Sequence, residues 1–429
     1  MLDPRSLEKR RDEIAEACER RGAVVDLDGA IAAQKRVAAL QTALGELNHR
    51  KNEHQSGGKR KLEPDERAAH VAEGRRLKEE GARLEAELAE AERALVPLLL
   101  AIPNLVHPES PKGGEADFRE LRRVGEPRRF EFAPEDHLAI GERLGLLDFE
   151  GGARVAGQKW YFLRREAVLL DLALQRFALD RAIRAGYEPH LTPDVARRQI
   201  VDGLAFAPRG DETQIYSLAG TDLDLIGTAE ITLGGLHFDQ VLDAERLPVR
   251  LAGVSHCFRT EAGAAGKESR GLYRVHQFTK VELFAITRPE ESDAMHAELL
   301  AIEEEIFQAL EIPYRVIEVA AGDLGAPAYR KFDIEAWMPG RGAAGEYGEV
   351  TSTSNCTDYQ ARRLRIRFRR EDGRRTELAH TLNGTAIAVS RGLVALFENH
   401  QQADGGVAIP AALRPYAGFD RIGPAAARS

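Results

Sequence analysis

Between residues 27 and 100 the chain carries two apolar seams separated by a polar stretch, and this arrangement leaves few folds open. In the first seam Val37, Leu40, Leu44 and Leu47 recur at spacings of three and four. In the second, Leu77, Leu84, Leu88, Ala91, Leu95 and Leu98 keep the same rhythm, with Gly81 a weak member. Such spacings put apolar side chains on one stripe of a helix and make coiled-coil contacts. The stretch between them, QSGGKRKLEPDER (55–67), contains the turn formers Gly57, Gly58 and Pro64. Two helices joined by so short a connection fold back as an antiparallel hairpin. A hairpin of this kind serves as a dimerisation coiled coil, a spacer, or an arm that grips RNA. From His49 to Lys61 it carries Arg50, Lys51, Lys59, Arg60 and Lys61 against Glu53 alone, a cationic cluster suited to phosphate.

The formal net charge of −9 argues against a protein that coats nucleic acid indiscriminately, but it leaves room for that local patch. A chain of 429 residues, 43% hydrophobic and 30% charged with both signs mixed, folds into two or three globular domains rather than staying disordered. Cys18, Cys257 and Cys356 lie far apart with no CxxC, which argues against a disulfide framework or a structural zinc and suits a reducing compartment. No window reaches 18 apolar residues, and the N-terminal MLDPRSLEKRRDEI has no apolar core of a signal peptide. The expectation is a soluble, cytoplasmic protein with no membrane partner.

Composition shifts at residues 103–128, PNLVHPESPKGGEADFRELRRVGEPR, which are rich in proline, glycine and charge. The expected division is a helical arm over 1–110, with its antiparallel coiled coil at about 27–100, a linker over 111–129, and a second domain over 130–429. In that domain an amphipathic stretch covers Val168 to Ile183. β-like runs lie near 247–259, 272–286, 330–338 and 347–355, and a final helix spans roughly Thr385 to Asn399. Strands joined through hairpins and followed by helices indicate an α+β fold on a mainly antiparallel sheet.

GAAGKE (263–268) lacks the spacing and the Ser/Thr of a phosphate loop, and there is no GxGxxG after a strand and no HExxH. The run LYRVHQFTKVELF (272–284) is more informative. Read as one strand, it puts Tyr273, Val275, Gln277, Thr279, Val281 and Leu283 on a packing face, and Arg274, His276, Phe278, Lys280 and Glu282 on the other. A cation, an aromatic ring and a carboxylate along one open face suit phosphate, a base and an ammonium group. A solvated sheet face accounts for the charges but not for Phe278.

FRTEAGAAGKESRGLYRVHQFTKVE (258–282) resembles the second signature motif of class II aminoacyl-tRNA synthetases, in the form found in seryl-tRNA synthetases. The resemblance extends to GTAEITL (227–233), EVTSTSNCTDYQARR (349–363), HTLNGTAIAVSR (380–391), Pro193 of the first motif, and the helical arm, so it covers nearly the whole chain. It implies a class II catalytic domain over 130–429 behind a tRNA-binding arm. The implied activity is that of a serine–tRNA ligase, which forms seryl-adenylate from L-serine and ATP and passes the seryl group to the 3′-terminal adenosine of serine tRNA, and of selenocysteine tRNA where present. The implied assembly is a homodimer whose arm grips the long variable arm of the tRNA.

By that resemblance Arg259 and Arg391 are the catalytic cations, with Arg259 at the α-phosphate and Arg391 and Phe278 on either side of adenine. Thr260, Glu261, Arg274, Val275, Glu349, Val350, Thr351 and Ser352 complete the ATP site. Magnesium arriving with ATP is held by Glu349 and Ser352, and no zinc is expected. Thr228, Ala229, Glu230, Glu282, Asn383 and Thr385 form the serine pocket. Strict strand alternation puts Glu349 and Ser352 on opposite faces, so their joint role requires a bulge. Thr385 and Ala386 stand where many relatives have Ser and Gly. His256 and His276 are expected to be structural. Two rivals are a catalytically silent RNA-binding paralogue and a paralogue activating an amino acid for a carrier protein or biosynthetic pathway. The intact set Arg259, Glu261, Phe278, Glu282 and Arg391 argues against the first, and the arm against the second.

Every residue assigned to ATP or serine lies beyond position 220, whereas the cationic tip lies before position 62. Deleting residues 28–100 and closing the gap with a short linker should therefore leave serine-dependent pyrophosphate exchange largely intact and abolish tRNA charging. Equal loss of both half-reactions in a folded variant contradicts this division.

Overall fold

The computed structural model describes residues 1–58, 63–206, 214–261, 270–370, 373 and 375–423, in two compact units, Met1–Leu105 and Val106–Ser429. The first unit is helical, with α1 (Arg11–Arg20), α2 (Leu27–Gly57) and α3 (Pro64–Ala101). Asp26 caps α2 by accepting from Gly29 N at 2.8 Å. Pro64 opens α3, where its missing N–H costs nothing, and Glu63 N donates to the Glu66 carboxylate at 3.2 Å. Leu47, Leu77 and Leu84 form the seam with Leu40, Ala43 and Leu44 packed against them. The antiparallel sense follows from the cross-pairs, Gln41 with Glu92, Arg50 with Glu80 and His54 with His70. At Gly81 a β-carbon would meet the end of the Lys51 side chain, which lies across the glycine from the facing helix. Toward the end of α3 it is Leu99 rather than Leu98 that is buried.

The second unit is built on an eight-stranded sheet. In chain order its strands are β1 (Arg119–Val124), β2 (Glu188–Leu191), β3 (Val249–Phe258), β4 (Gln277–Thr287), β5 (Tyr314–Glu318), β6 (Arg330–Met338), β7 (Glu346–Asn355) and β8 (His380–Ala388). Their spatial order is β1-β5-β6-β7-β8-β4-β3-β2, and every neighbouring pair is antiparallel except the edge strand β2, which runs parallel to β3. Helices α4 (Glu166–Arg184) and α6 (Ser292–Ala309) bury Leu170, Leu174, Phe177, Leu299, Ile306 and Phe307 against Val281, Leu283 and Ala285 of β4. The opposite parity of β4, with Phe278, Lys280 and Glu282, is left for the site. Among the described residues no helix is long and apolar enough to cross a membrane.

Three boundaries differ from the expectation. Residues 111–129, read as a linker, contain β1, whose residues are nearly all exposed, so the edge strand shows no hydrophobic period. The strand expected from residue 272 starts at Gln277, because Gly271–Tyr273 forms a 3₁₀ turn with Gly271 at φ +64°. Tyr273 and Arg274 therefore escape the pleat, and both reach the cavity described below. The final helix, α7, covers Val389–His400 rather than starting at Thr385, which lies in β8 opposite Glu282. Residues 381–399 are nearly all buried, and a fully buried strand and a fully buried helix look alike by periodicity.

Candidate active site

A cavity of about 300 Å³ opens over the middle of the sheet. Phe278 and Lys280 of β4 form one wall, and Glu349, Val350, Thr351 and Ser352 of β7 the other. Glu349 pairs with Glu335 and Thr351 with Ile334, so Val350 is an extra residue in the ladder. This bulge turns Glu349 and Ser352 to the same side, the arrangement that the expected joint role would need. A second bulge, at Ala386, leaves Thr385 opposite Glu282 and Ala388 opposite Lys280, on one face.

At the rim, α7 presents Ser390 and Arg391. Arg391 donates to the Glu349 carboxylate at 2.9 Å and to its carbonyl at 3.1 Å, and its guanidinium lies 4.7 Å from the centre of the Tyr273 ring. The Tyr273 hydroxyl donates to the same Glu349 carbonyl at 3.0 Å. Arg259 lies 5.4 Å from the Phe278 ring centre and 5.7 Å from that of Phe206. Its backbone is held from both directions, since its N–H donates to the His276 carbonyl and its carbonyl accepts from His276 Nδ1, each at 3.0 Å. His276 is thus hydrogen-bonded within the protein, as is His256, which meets Asp194 at 2.9 Å. Arg274 reaches the Glu261 carboxylate at 3.3 Å, and Gln214 receives the backbone amides of Thr260 and Glu261.

Deeper in the sheet, Lys280 Nζ lies 2.5 Å from Glu282, and the Thr385 hydroxyl donates to Glu282 at 3.3 Å. A neighbouring group centres on Glu230, at the start of α5 (Glu230–Leu236). Its Oε1 accepts from Asn383 Nδ2 at 2.9 Å and from Gln360 Nε2 at 2.6 Å. Of the residues expected at the site, Arg259, Glu261, Arg274, Val275, Phe278, Glu349, Val350, Thr351, Ser352, Thr385 and Arg391 line the cavity. Glu282 joins it through Thr385 and Lys280, and Glu230 and Asn383 form the adjoining polar group. Thr228 and Ala229 are buried beside Glu230, and Thr260 is off the wall. Lys59, Arg60 and Lys61 lie outside the described residues. Arg50 is partly neutralised by Glu80 at 2.9 Å, and Lys51 lies across Gly81.

Electrostatics separates these carboxyls. Burial pushes Glu282 up. Burial, and then the charge of Glu282, raises Glu230 to about 7. Burial opposes ionisation of Glu349, but the charges of Arg391 and Lys331 outweigh it and hold its carboxyl well below the usual range. Asp333 is raised by burial despite Lys331 at 3.2 Å. Behind the sheet, burial raises Glu303 well above the ordinary value, and the Thr351 hydroxyl donates to it at 3.0 Å. The arrangement suits a polyanion bearing a flat ring, with cations at Arg259, Arg274 and Arg391. Beside it lies a buried carboxyl pair suited to a small polar group. Among the described residues no set of three or more His, Cys, Asp or Glu side chains is placed to hold a metal ion. A cation held by Glu349 and Ser352 must take its other ligands from the bound molecule, as magnesium commonly does with phosphates.

The sequence puts Lys280 on the ligand-facing side of its strand without giving it a role, puts Tyr273 on the packing face, and assigns nothing to Lys331 or Gln360. The signal for Lys280 was its strand parity with Phe278 and Glu282. Tyr273 was hidden by the 3₁₀ turn, and nothing local marks Gln360, which acts through Glu230 from 130 residues away.

Comparison with known proteins follows the same division. The model for the seryl-tRNA synthetase N-terminal domain matches residues 1–106, and that for the class II tRNA synthetase core domain (G, H, P, S and T) matches residues 217–400. The serine–tRNA ligase of Rubrobacter xylanophilus is 54% identical, with 99% of this chain and 100% of the relative covered. That of Treponema denticola is 52% identical over the same shares. Among solved structures, the seryl-tRNA synthetase of Pyrococcus horikoshii complexed with ATP is similar at 39% identity, with a TM-score of 0.90 over 99% of this chain and 100% of that one. The cytoplasmic serine–tRNA ligase of Naegleria fowleri in complex with AMP is similar at 33% identity, with a TM-score of 0.83 over 99% of each chain.

The raised Glu230 carboxyl should make the stability of the fold depend on pH. A carboxyl whose folded pKa lies above its unfolded value binds more protons when folded, so stability falls as pH rises from the ordinary carboxylate range through about 7. Glu230→Gln should therefore gain stability relative to the native chain between pH 5 and pH 8, measured by urea unfolding at each pH. A difference that stays flat across that range contradicts the assignment.

Proposed function

The chain belongs to the seryl-tRNA synthetase family, and we propose from that premise that it is a serine–tRNA ligase acting in two steps. The observation that carries the proposal is the single face of β4, on which Phe278 of the cavity wall is followed by Lys280 and then by Glu282. One strand thus joins a site for a ring and phosphates to a pocket for a hydroxyl-bearing amino acid. The serine carboxylate attacks the α-phosphorus of ATP, forming the new P–O bond as the bond to the β-phosphate breaks and pyrophosphate leaves. The ribose hydroxyl of the terminal tRNA adenosine then attacks the carbonyl carbon, and AMP leaves. No protein nucleophile is required; the site supplies position and charge. Arg259 meets the α-phosphate, Arg274 the outer phosphates, and Phe278 and Arg391 the adenine. Glu349 and Ser352 would hold magnesium arriving with ATP, which would supply neutralisation of phosphate charge. Glu282 and Thr385 enclose the serine hydroxyl, with Thr228, Ala229, Glu230 and Asn383 completing the pocket.

Serine tRNA is the proposed partner, engaged through its long variable arm by the arm of the enzyme. Arg50 and Lys51, at the described end of α2, support this assignment. The active form is a homodimer, a reading supported by the exposed Leu169 and Leu172 on α4 and by Leu191, 87% exposed on β2. The three buried cysteines support a cytoplasmic setting.

Serine-dependent ATP–pyrophosphate exchange tests the reading, with threonine and alanine as competitors. Exchange should require serine, and an enzyme that exchanges equally well with alanine contradicts it. Thr385→Ser keeps the hydroxyl that serves Glu282 and removes a methyl, so it should keep serine activation and relax rejection of threonine. Thr385→Ala should also weaken serine by roughly 0.5–1.5 kcal/mol, the net worth of one neutral hydrogen bond. Unchanged threonine discrimination in Thr385→Ser would show that this methyl does not line the pocket.

A further inference from the structure

The 3₁₀ turn Gly271–Tyr273 is tied to the rest of the domain by a buried hydrogen-bonded path that the proposed reaction does not use. Leu272 N lies 3.1 Å from His137 Nε2. A backbone amide can only donate, so Nε2 accepts and the ring proton sits on Nδ1, which donates to Glu398 Oε1 at 2.8 Å. The same carboxylate oxygen accepts the backbone N–H of His137 at 3.0 Å, and Oε2 accepts that of Gly340 at 2.9 Å. His137 and Glu398 are 8% and 2% exposed, so these bonds do not compete with bulk water. Gly271, at φ +64°, sits so close to the imidazole that a β-carbon there would collide with Nε2. The turn therefore rests on the ring by contact as well as by hydrogen bond.

Tyr273, the last residue of that turn, donates to the Glu349 carbonyl and stacks under Arg391. Arg391 and Glu398 are both on α7, seven residues and so about two turns apart, which puts them on one side of the helix. A single helix thus grips the turn twice, directly through Arg391 on the tyrosine ring and indirectly through Glu398 and His137 on Leu272.

We infer that His137 and Glu398 are positioning residues for the nucleotide site. Through Leu272 they hold the turn that carries Tyr273 and leads into Arg274, and so they set where the Arg391–Glu349 pair meets ATP. The inference rests on the nucleotide reading of the cavity. The serine pocket, built from β4, β8 and α5, lies outside the path.

Two variants separate the two bonds of the imidazole. His137→Asn keeps a donor near the δ position for Glu398 and leaves Leu272 N without its acceptor. His137→Gln places an amide oxygen near the ε position, where it can still accept from Leu272. ATP affinity is read by equilibrium dialysis without serine, and Michaelis constants by pyrophosphate exchange, with thermal melts of each protein alongside. His137→Asn should weaken ATP binding and raise the ATP Michaelis constant roughly threefold to tenfold, the span of one lost hydrogen bond, with the serine Michaelis constant unchanged. His137→Gln should restore most of that loss. Equal behaviour of the two variants overturns the inference, as does a lower melting temperature with native ATP affinity, or parallel loss toward ATP and serine. Failure of the underlying reading looks different, because the unaltered enzyme would then itself fail to bind ATP.

Discussion

Lys280 and Glu282 lie 2.5 Å apart near the middle of the sheet, with 6% and 2% of their surfaces exposed. Taking either charge out of water costs several kcal/mol, so each tolerates its position only because of the other and of Thr385 beside them. Removing one partner would strand the other, at a cost of about 3–5 kcal/mol. The pair also decides which way β4 faces. Two residues apart on one strand, both must point to the same side, which sends Val281, Leu283 and Ala285 into the core beneath α4 and α6. The orientation of β4 then places Phe278 on the cavity wall. A purely apolar pair here would fill space equally well, but it would offer nothing to a serine hydroxyl.

The neighbouring strands adapt to β4 through irregularities rather than through ideal pleats. The extra residue Val350 in β7 and the extra residue Ala386 in β8 each shift the parity of a strand once. The first brings Glu349 and Ser352 together, and the second brings Thr385 and Ala388 opposite Glu282 and Lys280. Such bulges bend and re-aim strands, and they are favoured near functional sites. The charges follow the same plan. Cations gather at the open end, where Arg259, Arg274 and Arg391 line the cavity, while the raised carboxyls Glu230 and Glu282 lie deeper.

The chain's pattern of residues announces the long elements well. The helical hairpin follows from Leu40, Leu47, Leu77 and Leu84, because a strong amphipathic period leaves little choice. β3, β6 and β7 stand within a few residues of their expected limits. What stays hidden is set by long-range context. Tyr273 leaves its expected face because Gly271 takes a positive φ and closes a 3₁₀ turn over His137. Thr385 lies in a strand because it pairs with Glu282, a partner 103 residues away that no local period reveals. β1 is nearly all exposed and therefore has no apolar signature. The roles proposed for Arg391 and Ser352 rest on family resemblance rather than on spacing, and the bulge at Val350 turns Ser352 to the side of Glu349.

The central claim is that one face of β4 spans both substrates. A crystal structure with a non-hydrolysable seryl-adenylate analogue tests it most directly. The account predicts the adenine against Phe278, with the Arg391 guanidinium moved from Tyr273 onto the other face of the base, and the seryl hydroxyl within hydrogen-bonding distance of Glu282. An analogue bound with its side chain directed away from Glu282, or with its base away from Phe278, would contradict it.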